Sequence, residues 1–177
     1  MTVCIGIAEQ GRVHMGADSV VAGGYVTFRR SMPKIFQNGA FLIGVAGTAR
    51  VAELMRYTEL PIPTGDIDRF MSTVFAEYVR ELMRVSGHLS KENEVESIDS
   101  KMIIGVHGTL WISDELFSFS RPEPAEYAIG AGDEIAMGAL YATRGQKPMK
   151  RISTALRAAG EYGTGIGPPY ILRTLKR

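Results

Sequence analysis

At 177 residues, with 45% of them hydrophobic and 22% charged, the chain is long enough to bury a core and has an ordinary globular composition. Its 20 basic and 19 acidic side chains leave a formal charge of +1, so no bulk field draws it to nucleic acid or to an anionic membrane. A single cysteine, Cys4, excludes an internal disulfide, no apolar run approaches the roughly 18 residues of a membrane span, and the start lacks the basic and apolar regions of a signal peptide. The expectation is a cytoplasmic protein with one domain over residues 1–177.

The pattern begins at once. Val3, Ile5 and Ile7 alternate with smaller residues, and Val13 and Met15 resume the alternation after the turn "EQGR", which predicts a β-hairpin over residues 2–8 and 12–18. "YVTF", "KIFQ" and "AFLIGVA" read as short strands, the last two joined through Asn38-Gly39. "GTARVAELMRY" turns helical, and Asp66 or Asp68 can cap a longer helix that reaches Arg84. In that helix Phe70, Val74, Tyr78 and Leu82 recur at every fourth position beside Met71, Phe75, Val79 and Met83, a stripe wide enough for a sheet and the preceding helix, and wider than one sheet requires.

Residues 86–100, small and charged, read as a solvated loop or helix end. "KMIIGVHGTLWISDELFSF" is a meander of strands and "EYAIG" one more. "DEIAMGALYATRG" and "MKRISTALRAAGEYG" are helices that each run into a glycine, and "PPYILRTLK" is a last strand. Strands, two helices, strands, two helices and a strand describe an α+β domain in which two hairpin-rich sheets stack and helices cover the outer faces.

The chemistry lies at strand ends. If Met1 is removed, Thr2 presents a hydroxyl and a free α-amine in one residue, and an amine with a pKa of about 7.7–8.0 suits the deprotonation of that hydroxyl near neutral pH. Such a nucleophile also needs a fixed cation, a carboxylate to hold the cation, and N–H donors for an oxyanion. Asp18 in "MGADS", Lys34 in "SMPKIF" and Gly47 in "GVAGT", where strand gives way to helix, supply these groups.

Thr2, "GADS", "KI", "VAGT" before one helix and "AIGAG" before a later one, in this order and spacing, resemble a proteasome β-type subunit, and most of all the HslV branch of the N-terminal-nucleophile hydrolases. Each piece is common; the ordered set runs along essentially the whole chain. The resemblance implies an αββα four-layer sandwich and a threonine-type endopeptidase that works through an acyl ester. It assigns Thr2 as nucleophile and, through its amine, base; Lys34 as electrostatic helper; Asp18 as the partner orienting it; and the Gly47 N–H as oxyanion donor. Val21, Met32, Val45 and Ala49 would line an apolar pocket for the side chain before the scissile bond. No cofactor is required for this chemistry, and backbone carbonyls near Glu161 to Gly165 are the place for a structural cation. The implied partners are further copies of the chain in stacked rings, an ATP-dependent unfoldase, and peptides or unfolded proteins. An inactive ring subunit and a small-molecule amidohydrolase are the alternatives on the same fold.

The sequence also departs from the family pattern. Ala131 stands in Gly130-Ala131-Gly132 where a serine is usual, and Glu161 and Thr164 in "GEYGTG" stand for the usual Asp and Ser as supporting residues. Lys34 to Gly47 is one residue shorter than in archaeal and eukaryotic proteasome subunits, which a tighter turn at Asn38-Gly39 absorbs. "AIGAGDEIAMG" is not a dinucleotide-binding turn, because Ile135 takes the third glycine position. His14, His88 and His107 have no metal-ligand spacing.

Overall fold

The computed structural model describes residues 1–23, 26–29 and 31–177. Strands β1 (Cys4–Glu9) and β2 (Arg12–Ala17) form the first hairpin, turning on Gln10 and Gly11, both at positive φ. The ladder thus starts two residues later than expected, leaving Thr2 and Val3 as its lead-in. Ile7 pairs with His14, so the large residues of the two strands point to opposite faces: Ile5 and Ile7 to one side, Val13 and Met15 to the other. Both faces are buried, and the small residues between them admit what packs against the sheet.

Strands β3 (Val20–Gly23) and β4 (Val26–Arg29) form a separate two-stranded ribbon; Tyr25, the first residue of the expected "YVTF" strand, lies outside the described residues. Strand β5 (Ile35–Asn38) returns as β6 (Phe41–Gly47), with the Asn38–Phe41 pair closing a two-residue turn at Gly39-Ala40. Asn38 Nδ2 donates to the carbonyls of Met55 and Thr58 at 2.9 and 2.8 Å, which ties this turn to the end of helix α1 (Ala49–Tyr57).

Helix α2 (Ile67–Phe70) is capped by Asp66, whose carboxylate accepts the Arg69 N–H at 2.8 Å. It runs through one π-helical turn, Met71–Phe75, into α3 (Ala76–Val85). Phe70, Met71, Phe75, Val79 and Met83 are buried in one cluster with Val51, Leu54 and Met55 of α1, while Val74 points outward. The apolar stripe is therefore used up inside the subunit, against its own sheet and neighbouring helix, and is not surplus surface.

Residues 86–100 are more ordered than expected. Strands β7 (Ser90–Glu92) and β8 (Val95–Ser97) turn on Asn93 and Glu94, both at positive φ, and Glu96 reaches Arg80 at 3.4 Å and Arg84 at 2.9 Å on α3. Both sides of this hairpin are polar, so periodicity gives no sign of it. The chain continues through β9 (Ser100–Val106), β10 (Thr109–Ser113), β11 (Phe119–Ser120) and β12 (Glu126–Ile129) to α4 (Asp133–Ala142), α5 (Pro148–Tyr162) and β13 (Ile171–Lys176).

Two antiparallel sheets result, ordered β12-β1-β2-β13 and β11-β10-β9-β6-β5. Cys4, Val13, Met15, Ile35, Leu42 and Ile103 fill the space between them. Helices α4 and α5 cover Val3, Ile5 and Ile7 on the first sheet; α1, α2 and α3 cover Ile43, Val45, Met102 and Ile104 on the second. This is the αββα four-layer sandwich. Glu126 on β12 joins the helix pair to its sheet: it accepts from Arg151 Nη2 at 2.5 Å, and Arg151 also donates to the Leu140 carbonyl at 2.8 Å. Among the described residues, no helix is long and apolar enough to cross a membrane.

Glycines set how closely these layers approach. A Cβ on Gly105 would stand 2.7 Å from Val13 Cγ1 across the sheet interface, and one on Gly16 would run into Ile152 Cγ2 and, at 2.8 Å, the methyls of Leu156 and Leu172. Gly16→Ala should therefore destabilise the fold by about 1–3 kcal/mol through overpacking, read as a lower urea midpoint with an unchanged slope.

Candidate active site

Asp18 is the first residue beyond β2 and is fully buried. Its Oδ1 accepts from the Val3 N–H at 3.0 Å and Lys34 Nζ at 2.8 Å, and its Oδ2 accepts from the Val20 N–H at 3.0 Å. A carboxylate out of water needs such partners, and these three join the start of β1, the start of β3 and the residue before β5. The Asp18 N–H donates back to the Val3 carbonyl at 3.3 Å. The residue preceding Val3 is thereby held in place.

Lys34 spends its three ammonium protons on Asp18 Oδ1, on the Val20 carbonyl at 2.7 Å and on the Met1 carbonyl at 3.0 Å. The Thr2 hydroxyl donates to that same Met1 carbonyl at 2.7 Å. Thr2 Oγ1 and Lys34 Nζ thus converge on one carbonyl oxygen. Thr2, Asp18 and Lys34 are brought together as the spacing led one to expect.

Gly47 ends β6 at a φ of +133° and lines two cavities that meet at Thr2. The first, of about 270 Å³, is walled by Val21, Met32, Val45 and Ala49, the four residues expected there. Glu53 and Arg56, not among the residues expected there, line it as well. Arg56 stacks 4.1 Å over the Phe36 ring and donates to the Pro33 carbonyl. Ala49, Ala52, Glu53 and Arg56 follow the three-to-four-residue spacing of one helix face, a signal that was present in "TARVAELMRY".

The second cavity, of about 300 Å³, shares Thr2 and Gly47 with the first and is lined by Gly130, Ala131, Asp99 and Ser100 among others. Gly130 has a φ of +102°, and a Cβ there would stand 2.9 Å from the Thr2 carbonyl carbon, so the β12–α4 turn passes directly over the threonine. Ala131 offers this cavity a methyl group. Asp99 and Ser100 were not anticipated.

Glu161 and Thr164 are not gathered around Thr2. Helix α5 continues to Tyr162, leaving Glu161 on its exposed side; Thr164 is exposed in the following loop, and neither lines either cavity. The loop meets the site through glycine instead, since a Cβ on Gly165 would lie 3.2 Å from Met1 Sδ. Among the described residues, no three His, Cys, Asp or Glu side chains form a metal-binding group.

No family model and no curated protein matches this sequence. Solved structures do. The Thiobacillus denitrificans protein BPH in complex with epoxomicin superposes with a TM-score of 0.82 at 17% identity, over 99% of this chain and 98% of that one. A second structure of Thiobacillus denitrificans BPH gives 0.81 at 17% identity over the same shares. Eukaryotic HslV from Trypanosoma brucei gives 0.70 at 18% identity, over 99% of this chain and 100% of that one. The chain therefore has the HslV-like, proteasome-type αββα fold.

Cys4, next to Val3 in β1, is a different case from Thr2. Desolvation by burial, only partly offset by the nearby Lys34 charge, pushes its thiol up to about 12. Native protein at pH 8 should take up no iodoacetamide at Cys4 and should be alkylated there once unfolded in urea, as peptide mass mapping would read.

Proposed function

We propose that the chain is a threonine-type endopeptidase subunit with Thr2 as its nucleophile. The observation that carries this reading is the convergence of the Thr2 hydroxyl and the Lys34 ammonium on one carbonyl oxygen, with Lys34 anchored by a fully buried Asp18. While Met1 is attached, the Thr2 nitrogen is an amide and cannot serve as a base; Met1 is 53% exposed and open to removal. Freed, the amine takes the hydroxyl proton and Oγ1 attacks a peptide carbonyl. Lys34 stabilises the negative charge that develops, and the Gly47 N–H, beside the start of α1, receives the oxyanion. Collapse expels the amine of the leaving peptide and forms an ester on Thr2, which a water hydrolyses.

The cavity walled by Val21, Met32, Val45 and Ala49 then takes the side chain before the scissile bond and favours apolar ones. One methylene more or less changes such a preference by only about 1–3 kcal/mol. Stacked rings of this subunit, fed by an ATP-dependent unfoldase, complete the proposal. With most of the stripe from Phe70 to Met83 buried, contacts between copies would draw on exposed apolar side chains such as Val26, Phe28, Tyr57 and Ile62, each at least half exposed. Light scattering should read a multiple of 19.3 kDa, and a stable monomer overturns the ring.

Intact mass before and after a peptide epoxyketone tests the chemistry, because that electrophile needs both the hydroxyl and the free amine; epoxomicin is the compound in one of the BPH structures. Loss of Met1 followed by one adduct per chain is expected. Complete loss of Met1 with no adduct and no peptide cleavage overturns the peptidase and leaves a structural subunit. Lys34→Ala should lower turnover by about 10²-fold, as removal of one preorganised stabiliser does, with the monomer fold retained by circular dichroism.

A further inference from the structure

Gly47 is a glycine with little preference of its own for a φ of +133°, so something outside the residue must hold it there. Ser100 does. The two residues face each other in the β6–β9 ladder, and the Ser100 hydroxyl, with its Cα at 2.6 Å, fills the space a Gly47 Cβ would need. That hydroxyl accepts the Thr48 N–H at 3.0 Å and donates to the Asp99 carbonyl at 2.6 Å. The Thr48 N–H also lies 3.3 Å from the Asp99 carbonyl. Ser100 is 3% exposed, and it lines the same cavity as Thr2, Gly47 and Ala131.

The peptide before Gly47 is held by the sheet, where Ala46 pairs with Lys101; the peptide after it is held by the Ser100 hydroxyl together with the Asp99 carbonyl. Gly47 is the hinge between these two anchored planes. With both fixed, the direction of the Gly47 N–H is set before any substrate arrives, and the neighbouring Thr48 N–H is taken up by the protein. We infer that Ser100 is a positioning residue for the oxyanion donor, acting through the Gly47-Thr48 peptide and not by touching the substrate. The inference rests on the peptidase reading above. Ser100 has no part in holding Thr2, Asp18 or Lys34, so its contribution can be separated from theirs.

The test uses full-length chain free of Met1, as wild type, Ser100→Ala and Ser100→Cys. The cysteine keeps the side chain's shape but is a weak acceptor, so it separates hydrogen bonding from space filling. Loss of a positioned donor costs about 10²–10³-fold, and losing only its anchor should lower kcat about tenfold in both variants, with KM changed less than about twofold. Affinity for a peptide aldehyde, whose adduct carries the oxyanion, should fall in parallel, while an epoxyketone still labels each chain once at completion. The Thr48 amide should also exchange with deuterium about tenfold faster in both variants.

Wild-type kcat, aldehyde affinity and Thr48 exchange in both variants overturn the inference and leave the peptidase standing. Activity lost in Ser100→Ala but retained in Ser100→Cys also overturns it, since packing alone would then be the cause. Wild-type chain that neither cleaves peptide nor takes the epoxyketone overturns the peptidase reading, and with it this role for Ser100.

Discussion

Asp18 is the constraint on which the rest of the site depends. A carboxylate with no exposure to solvent is tolerable only with its lone pairs satisfied, and here two backbone N–H groups and one ammonium satisfy them. Those three donors belong to three separate stretches of chain, so satisfying one buried charge also fixes where Thr2 starts, where Lys34 points and how the β3–β4 ribbon leaves the sheet. Taking a buried charge out of water is costly, and removal of one partner strands the other. The arrangement is weak as a source of stability and strong as a source of position.

The sandwich serves this arrangement by rigidity. Both sheets are covered on both faces, which requires strands whose alternate residues are large toward one neighbour and small toward the other. Cys4, Gly6 and Gly16 are the small partners; Ile103, Leu110, Ile152 and Leu156 are what they admit. Two closely packed sheets leave the end of β6 and the start of β1 little freedom, and the β12–α4 turn at Gly130 crosses above them. Thr2, Lys34 and Gly47, the proposed nucleophile, cation and oxyanion donor, thereby sit on the ends of rigid elements, where electrostatic preorganisation is most effective.

Much of this was legible along the chain. The hairpin at the start, the cap at Asp66, the helix pairs and the strand ends bearing Asp18, Lys34 and Gly47 follow from periodicity, capping and turn chemistry, because each is a local property. The π-helical turn was not: it inserts one residue into the helical phase, which shifts the buried face so that Val74 leaves the stripe. Nor was the β7–β8 hairpin, whose partners are the arginines of α3 and whose own faces are polar. Glu161 and Thr164 were placed by matching a turn, and matching a turn does not fix on which side of the last helical residues an exposed side chain lies.

The sequence by itself determined most of the elements, the αββα layering and the identity of Thr2, Asp18 and Lys34 beside strand ends, since hydrophobic period and turn residues act over a few positions. Only the tertiary structure decided that Thr2 and Lys34 meet at one carbonyl oxygen, that Asp18 anchors Lys34, and that Glu53 and Arg56 also line the apolar cavity. It alone placed Ser100 against the hinge at Gly47. The physical reason is that each of these contacts joins residues on different elements, and the distance between such residues is set by how the sheets and helices pack.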